Sequence, residues 1–339
     1  MMFCVLLLSV FVVSLLLTYV LRRYALANSL IDVPNSRSSH TLPTPRGGGV
    51  AIVVSFLVML PVSYYTQLID FPAMAGLSGA GALVAILGFA DDHGHVAAKW
   101  RLLGHFLAAG WALYWLGSGV QISLLGWLLD WKWFTSLFFS IYLVWMLNLY
   151  NFMDGIDGLA SVEAITVCLS ACLVYWVSGH LELAWLPLLL AGAVWGFLCW
   201  NFPPARIFMG DAGSGFLGLI IGLLTIIACA KDPELLWCWL ILLGVFIVDA
   251  TWTLAQRLLR GDKIYEAHRS HAYQYASRHY GSHKIVVYGV LAINLLWLAP
   301  LALLTAIGVL PGVVALLVAY IPLVFVAKKY NAGMLEIPG

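Results

Sequence analysis

Five short segments of this 339-residue sequence gather carboxylates, amides and cations closely enough to do chemistry. In the run from Asn148 to Leu159 a polar group recurs every three residues, so on a helix Asn148, Asn151, Asp154 and Asp157 would form one stripe. Gly155 and Gly158 let the backbone turn or approach a ligand closely. A stripe that merely glues helices together is the plainer account, but four such groups with almost no basic partner exceed what packing needs. Asp91 and Asp92 are adjacent; carboxylates about 4–5 Å apart repel by about 3–4 kcal/mol at an effective dielectric near ~20. The C-terminal end of a helix dipole adds to that repulsion, so a cation is expected beside them.

Asp211, in Phe208-Met209-Gly210-Asp211, could cap the helix that follows and also serve as a ligand. A carboxylate with an amide oxygen and phosphate oxygens suits Mg²⁺, a hard cation commonly held by one or two carboxylates and substrate phosphates. The loop from Gln256 to Lys284 is basic and rich in histidine. Within it Arg257, Arg260 and Lys284 read as membrane anchors, whereas His268, Arg269 and His271 form a tight group suited to phosphate oxygens. Zinc would require ligand spacing and further partners that the loop does not offer. The fifth segment runs from Asp32 through Pro34-Asn35-Ser36-Arg37-Ser38-Ser39-His40 to Pro43-Thr44-Pro45-Arg46 and Gly47-Gly48-Gly49. Its prolines stiffen the chain, its glycine N–H groups could rest against an anion, and Arg46 is its candidate substrate-binding cation.

The elements that must hold these groups are apolar. The chain is 63% hydrophobic and 10% charged, far from the soluble norm of roughly 45–50% and about 25%, which makes it a membrane protein. A net charge of +1 offers no basic face for nucleic acid. The six cysteines lie in apolar runs and read as packing residues. Phe3 to Leu21 lacks a cleavage pattern and reads as a retained helix. Breaking the chain at its polar and Pro/Gly clusters gives eleven candidate spans, starting near residues 2, 47, 74, 102, 134, 160, 184, 213, 235, 285 and 311.

With the N-terminus periplasmic and the C-terminus cytoplasmic, fifteen of the 17 Lys and Arg fall on the cytoplasmic side, Lys263 among them and only Lys132 and Lys231 excepted. The expectation is an all-α integral membrane protein, a bundle of about eleven transmembrane helices. It is one polytopic domain over 1–339, without repeats, whose site is built from cytoplasmic loops near 22–46, 91–101, 148–160, 202–213 and 256–284. A secondary transporter would also have many helices and acids, but its site usually lies near the bilayer midplane.

Taken together, PNSRSSH followed by PTPRGGG, the Asp91-Asp92 pair, NxxNxxDGxDGLA, FMGDxGS and the histidine-rich loop, in that order, resemble the polyprenyl-phosphate N-acetylhexosamine-1-phosphate transferases of glycosyltransferase family 4. The likeness covers nearly the whole chain and is closer to the WecA/WbpL branch, which begins O-antigen or related surface glycans, than to the MraY branch of peptidoglycan synthesis. His268-Arg269-Ser270-His271 departs from the histidine triplets or HIHH of those branches. The resemblance implies Asn151 and Asp211 as Mg²⁺ ligands, with Mn²⁺ as a substitute, and Asp91, Asp92 and Asp154 as catalytic residues. It implies Arg46, Asn148, Asp157, His268, Arg269 and His271 as substrate-binding residues. The implied substrates are a UDP-activated 2-acetamido sugar and undecaprenyl phosphate, in a bacterial inner membrane with the site on its cytoplasmic face. The implied partners are membrane lipids and no nucleic acid, with a homodimer as the candidate self-association. Direct displacement and a route through an aspartyl phosphate both stay open.

Overall fold

The computed structural model describes residues 2–34, 39–40, 42–94, 96–117, 120–124, 127–262 and 268–334. Asn35, Ser36, Arg37 and Ser38 of the proline-led motif, and Lys263 of the basic loop, lie outside the described residues. The elements are α1 (Met2–Ala27), β1 (Ile31–Asp32), β2 (Thr44–Pro45), α2 (Val50–Tyr65), α3 (Phe71–Gly94) and α4 (Ala98–Leu116). They continue with β3 (Ile122–Leu124), β4 (Trp127–Leu129), α5 (Lys132–Met153), α6 (Leu159–Ser178), α7 (Trp185–Asn201) and α8 (Asp211–Lys231). Last come α9 (Leu235–Leu242), α10 (Gly244–Leu259), α11 (Ala272–Tyr280), α12 (His283–Ile293), α13 (Ala299–Ala306) and α14 (Gly312–Lys329).

Every one of the eleven expected spans is helical and starts within four residues of its expected position. Among the described residues, eight helices are long and apolar enough to cross a membrane, or nine if α9 and α10, bent by 70° at Leu243, count as one. α2 has only 16 residues, and α4 carries Lys99, Arg101 and His105 in its first turns. The aromatic stretch ahead of α5 forms a hairpin, with Ile122 opposite Leu129. Trp131 and Trp133 beside it are 75% and 92% exposed, as interfacial tryptophans are.

α8 is the buried axis of the bundle. Its run of small residues lets backbones approach where side chains would hold them apart, the usual route to tight packing between membrane helices. Two such approaches build the site. A Cβ on Gly88 of α3 would lie 2.7 Å from the Ala212 nitrogen, so the end of α3, with its aspartates, lies directly against the start of α8. A Cβ on Gly213 would lie 2.6 Å from the Gly49 Cα, so the residues preceding α2, Arg46 among them, arrive at the same point.

Candidate active site at one end of the bundle

The Asp91-Asp92 pair is split between two jobs. Both oxygens of Asp92 accept backbone N–H groups that the start of α8 leaves unpaired, Asp211 N at 3.0 Å and Ala212 N at 3.2 Å. Arg46 Nη2 lies 2.9 Å from the same carboxylate. Asp91 instead accepts the Val96 N–H at 2.7 Å and pairs with Arg101. The expected cations are thus Arg46 for one carboxylate and Arg101 for the other. Asp92, expected as a catalytic carboxylate, has its side chain shielded from solvent and its oxygens engaged, and lines neither cavity described below. It is Asp92, and not Asp211, that caps α8.

Asp211 is left to face open space. Its Oδ1 lies 2.5 Å from Arg46 Nη2 and its Oδ2 4.0 Å from Arg101 Nη1. Burial works against the Arg46 charge, but Asp211 and Asp92 more than offset it and hold the guanidinium pKa above its ordinary value.

The polar stripe expected from Asn148 to Asp157 is broken, because α5 ends at Met153 and the chain turns through Gly155 to Gly158, whose φ of 73° suits glycine. Asn148 stays helical and donates to the Val144 carbonyl at 2.7 Å. Asn151 Nδ2 donates to Ser214 Oγ at 3.1 Å, which turns its carbonyl oxygen elsewhere. Asp154 lies just past the helix end; burial, with Asp211 and Asp92 adding to it against the pull of Arg46, holds its carboxyl well above the usual range. Asp157 is swung away. It accepts the Ala205 N–H at 2.9 Å and lies 3.3 Å from His283 Nδ1, and these donors outweigh burial and hold its carboxyl below the usual range. Asn201 ties the two loops by accepting the Gly158 N–H and donating to the Ile207 carbonyl, both at 3.0 Å.

Two cavities open here. One, about 250 Å³, is polar and is lined by Arg46, Asn151, Asp154, Asp157 and Asp211 together with Asp32, His40, Gln274 and His283. The other, about 390 Å³, is a mostly apolar groove between α3, α4 and α5, with Asp91, Arg101, His105 and Asn148 at its polar end. Asn151 and Asp211 line both.

Expected members of the site do not all reach it. His268, Arg269 and His271 line neither cavity. Burial, with His271 and Arg257 nearby, pushes His268 down to about 3, so its imidazole is neutral at pH 7; its Nδ1 faces Ser270 Oγ at 2.9 Å. The carbonyl of Arg269 accepts a bond from Arg278 Nη2 at 3.1 Å. His271 is buried against Asp249. Conversely, the cavities expose residues that sequence reasoning did not assign: Arg101, His105, Gln274 and His283. His105 carried a signal, a histidine one turn after Arg101 in an apolar helix, and its Nδ1 has no hydrogen-bond partner among the described residues. Gln274 carried none.

Among the described residues no group of three or more His, Cys, Asp or Glu side chains is arranged to hold a metal. Asp211 supplies one hard oxygen donor, and the Asn151 side chain on the same shared wall carries an amide oxygen, so the residues fit Mg²⁺ only as a site that substrate phosphates complete and not as a protein cage.

The family model of Glycosyl transferase family 4 matches residues 74–229, which contain most of α3, all of α4 to α7, most of α8 and every acidic residue of the two cavities except Asp32. The chain is 28% identical over 292 residues to a probable undecaprenyl-phosphate N-acetylglucosaminyl 1-phosphate transferase of Bacillus subtilis, covering 83% of this chain and 77% of that protein. It is 30% identical over 240 residues to a phospho-N-acetylmuramoyl-pentapeptide-transferase of Lactococcus lactis, covering 67% and 70%. A protein of that same name from Moorella thermoacetica is 37% identical over 200 residues, covering 54% and 61%. With its helical bundle and these relatives, the chain belongs to glycosyl transferase family 4 as a multi-pass membrane protein.

Proposed function

We propose that the protein transfers an N-acetylhexosamine-1-phosphate, or a related 2-acetamido sugar phosphate, from a UDP-sugar to undecaprenyl phosphate, releasing UMP. The observation that carries this reading is the junction of a polar cavity with an apolar groove at Asn151 and Asp211. A nucleotide diphosphate suits the first and a polyprenyl chain the second, and their phosphates would meet where the walls are shared. The name of the Bacillus subtilis relative supports the acceptor and the transferred group, undecaprenyl phosphate and an N-acetylglucosaminyl 1-phosphate.

An oxygen of the acceptor phosphate attacks the β-phosphorus of the donor, the bond from that phosphorus to the bridging oxygen breaks, and UMP departs with the electron pair. A phosphate dianion is already a competent nucleophile, so Asp91 with Arg101 orients the acceptor more than it deprotonates it. Arg46 stands beside the donor phosphates, and Asp154, whose carboxyl holds a proton more readily than usual, can donate to a phosphate oxygen. Asp211 and Asn151 would hold Mg²⁺, which when bound supplies positive charge for the diphosphate and the leaving UMP.

The positive-inside pattern of Arg22, Arg206, Arg260 and Lys329 supports a cytoplasmic site in a bacterial inner membrane. The family resemblance supports a start in O-antigen or another surface glycan. The alternative, a transferase acting on the peptidoglycan precursor, is favoured by the names of several relatives. Purified protein given undecaprenyl phosphate and a panel of UDP-sugars, the muramoyl-pentapeptide included, decides between them by UMP release. Activity is expected with a 2-acetamido hexose, lost in EDTA and restored by Mg²⁺ or Mn²⁺. Full turnover in chelator would remove the metal from the reading, and turnover only on the muramoyl donor would reassign the branch.

A further inference from the structure

One wall of the polar cavity comes from α11, and the way α11 is held separates its histidine from its glutamine. Asp249, buried on α10, gathers donors from the start of α11. Its Oδ1 accepts the Ala272 N–H at 2.9 Å and the Thr253 hydroxyl at 3.1 Å and lies 3.3 Å from His271 Nδ1; its Oδ2 accepts the Tyr273 N–H at 3.0 Å. These backbone groups are ones that a helix start cannot pair for itself. The Tyr273 hydroxyl then donates to the Phe152 carbonyl at 2.9 Å, fastening the same turn to the end of α5. His271, 3% exposed, is committed to this anchor and does not line the cavity.

Gln274 does line it. Its Oε1 accepts the His271 N–H at 3.2 Å. A backbone N–H must have an acceptor, so this bond fixes which end of the amide is oxygen and leaves the NH₂ as the end on offer. Among the described residues no protein group accepts a hydrogen bond from that NH₂. It sits beside Gly155, where even a Cβ would approach it to 3.1 Å.

We propose that Gln274 is the residue of α11 that binds the donor, its amide donating to an oxygen of the nucleoside diphosphate sugar, while Asp249 and His271 are positioning residues that aim it. This rests on the polar cavity being the donor site. His271 is then needed for one atom, the Nδ1–H that faces Asp249, and its Nε2 has no part in binding.

The test uses the full chain in detergent with UDP-N-acetylglucosamine and Mg²⁺, reading donor KM, acceptor KM and kcat by UMP release and donor binding by calorimetry. Gln274→Glu keeps the shape and the acceptor but replaces the NH₂ with an oxygen that repels phosphate; donor KM should rise about 10–100-fold, the range for a bond to a charged group, with acceptor KM unchanged. Asn carries its amide nitrogen where Nδ1 lies and Gln where Nε2 lies. His271→Asn should therefore hold donor KM close to wild type, whereas His271→Gln and Asp249→Ala should raise it as Gln274→Ala does. The assignment is overturned if Gln274→Glu and Gln274→Ala leave donor KM unchanged, or if His271→Gln retains donor binding and His271→Asn loses it. Thermal unfolding of each purified variant separates loss of fold from loss of binding, and Gln274→Glu, a side chain of the same size, decides the matter if Asp249→Ala does not fold. Wild-type protein that neither binds nor turns over UDP-N-acetylglucosamine, or any other UDP-sugar of the panel, would sink the donor-site reading itself.

Discussion

Acidic and basic side chains from separate connections meet at both ends of α8, about 31 Å apart at 1.5 Å per residue. At its far end Lys231 Nζ lies 3.4 Å from Glu182, and His180 lies 3.6 Å from both Glu182 and Asp232. At its near end Asp91, Asp92 and Asp211 meet Arg46 and Arg101. The far pair is half in water, with Lys231 and Glu182 side chains 51% and 54% exposed, whereas those of Asp91 and Asp92 are 6% and 5%. An exposed ion pair keeps most of its hydration and is worth little. A buried one loses hydration, and removing one partner strands the other, which is strongly unfavourable. A fold keeps three crowded carboxylates in that second environment only where something else requires them, and the two cavities supply the reason.

The largest effect should come from separating Asp211 from Asp91, which composition treats alike. If Asp211 holds the metal at the shared wall, Asp211→Asn should lower turnover by at least about a hundredfold, since the lost charge acts on the transferring phosphoryl group. Asp91→Asn should leave donor and Mg²⁺ binding near wild type while transfer to the lipid disappears. Calorimetric titration of donor with Mg²⁺, alongside UMP release, reads both. Donor binding lost in Asp91→Asn and kept with full turnover in Asp211→Asn would reverse the two assignments.

How much of this was legible in the sequence depended on the range of the interactions. The helical segments follow from apolar runs and their polar breaks, local properties that survive without tertiary knowledge. Membership of Asn151, Asp154 and Asp211 in one cluster was legible because each motif lies at a helix terminus, the end of α5 or the start of α8. What Asp92 does was not, since its partners, the amides of Asp211 and Ala212, lie over a hundred positions away in sequence and come close only because Gly88 has no side chain. The placement of the histidine-rich loop was hidden for the opposite reason. Its chemistry is visible residue by residue, but which side chain faces the cavity depends on how Asp249 seats the start of α11, and an acid inside the apolar run of α10 was the available signal.

A smaller effect should appear in the acid response of the near end. Asp157 is held below the ordinary carboxylate range by the bonds from His283 and the Ala205 N–H, which outweigh its burial. A depressed native pKa contributes stability that is fully present above the unfolded value, about 3.9, and is lost as pH falls through the native one. Asp157→Asn removes that contribution. Melting of the variant should therefore trail wild type at neutral pH, and the gap should narrow as the buffer is taken down through about pH 4 and below. A gap that stays constant or widens in acid would mean that Asp157 does not stabilise the loop through its charge.

The smallest effect should come from the far end, and it is the one that isolates burial as the cause. Glu182→Gln and Lys231→Ala each break the 3.4 Å pair, just as Asp211→Asn breaks the pair with Arg46. Both far-end side chains stand half in water, where side-chain ordering and screening offset most of the attraction. His180 also retains Asp232 when Glu182 is changed. Donor KM, acceptor KM and kcat should stay within about twofold of wild type, and the melting temperature should barely move, at low and high salt alike. A salt-dependent fall in melting temperature for either variant would mean that this cluster bears on the fold despite its exposure. A change in kcat without a change in stability would be more damaging, since it would tie catalysis to the end of α8 that lies farthest from both cavities.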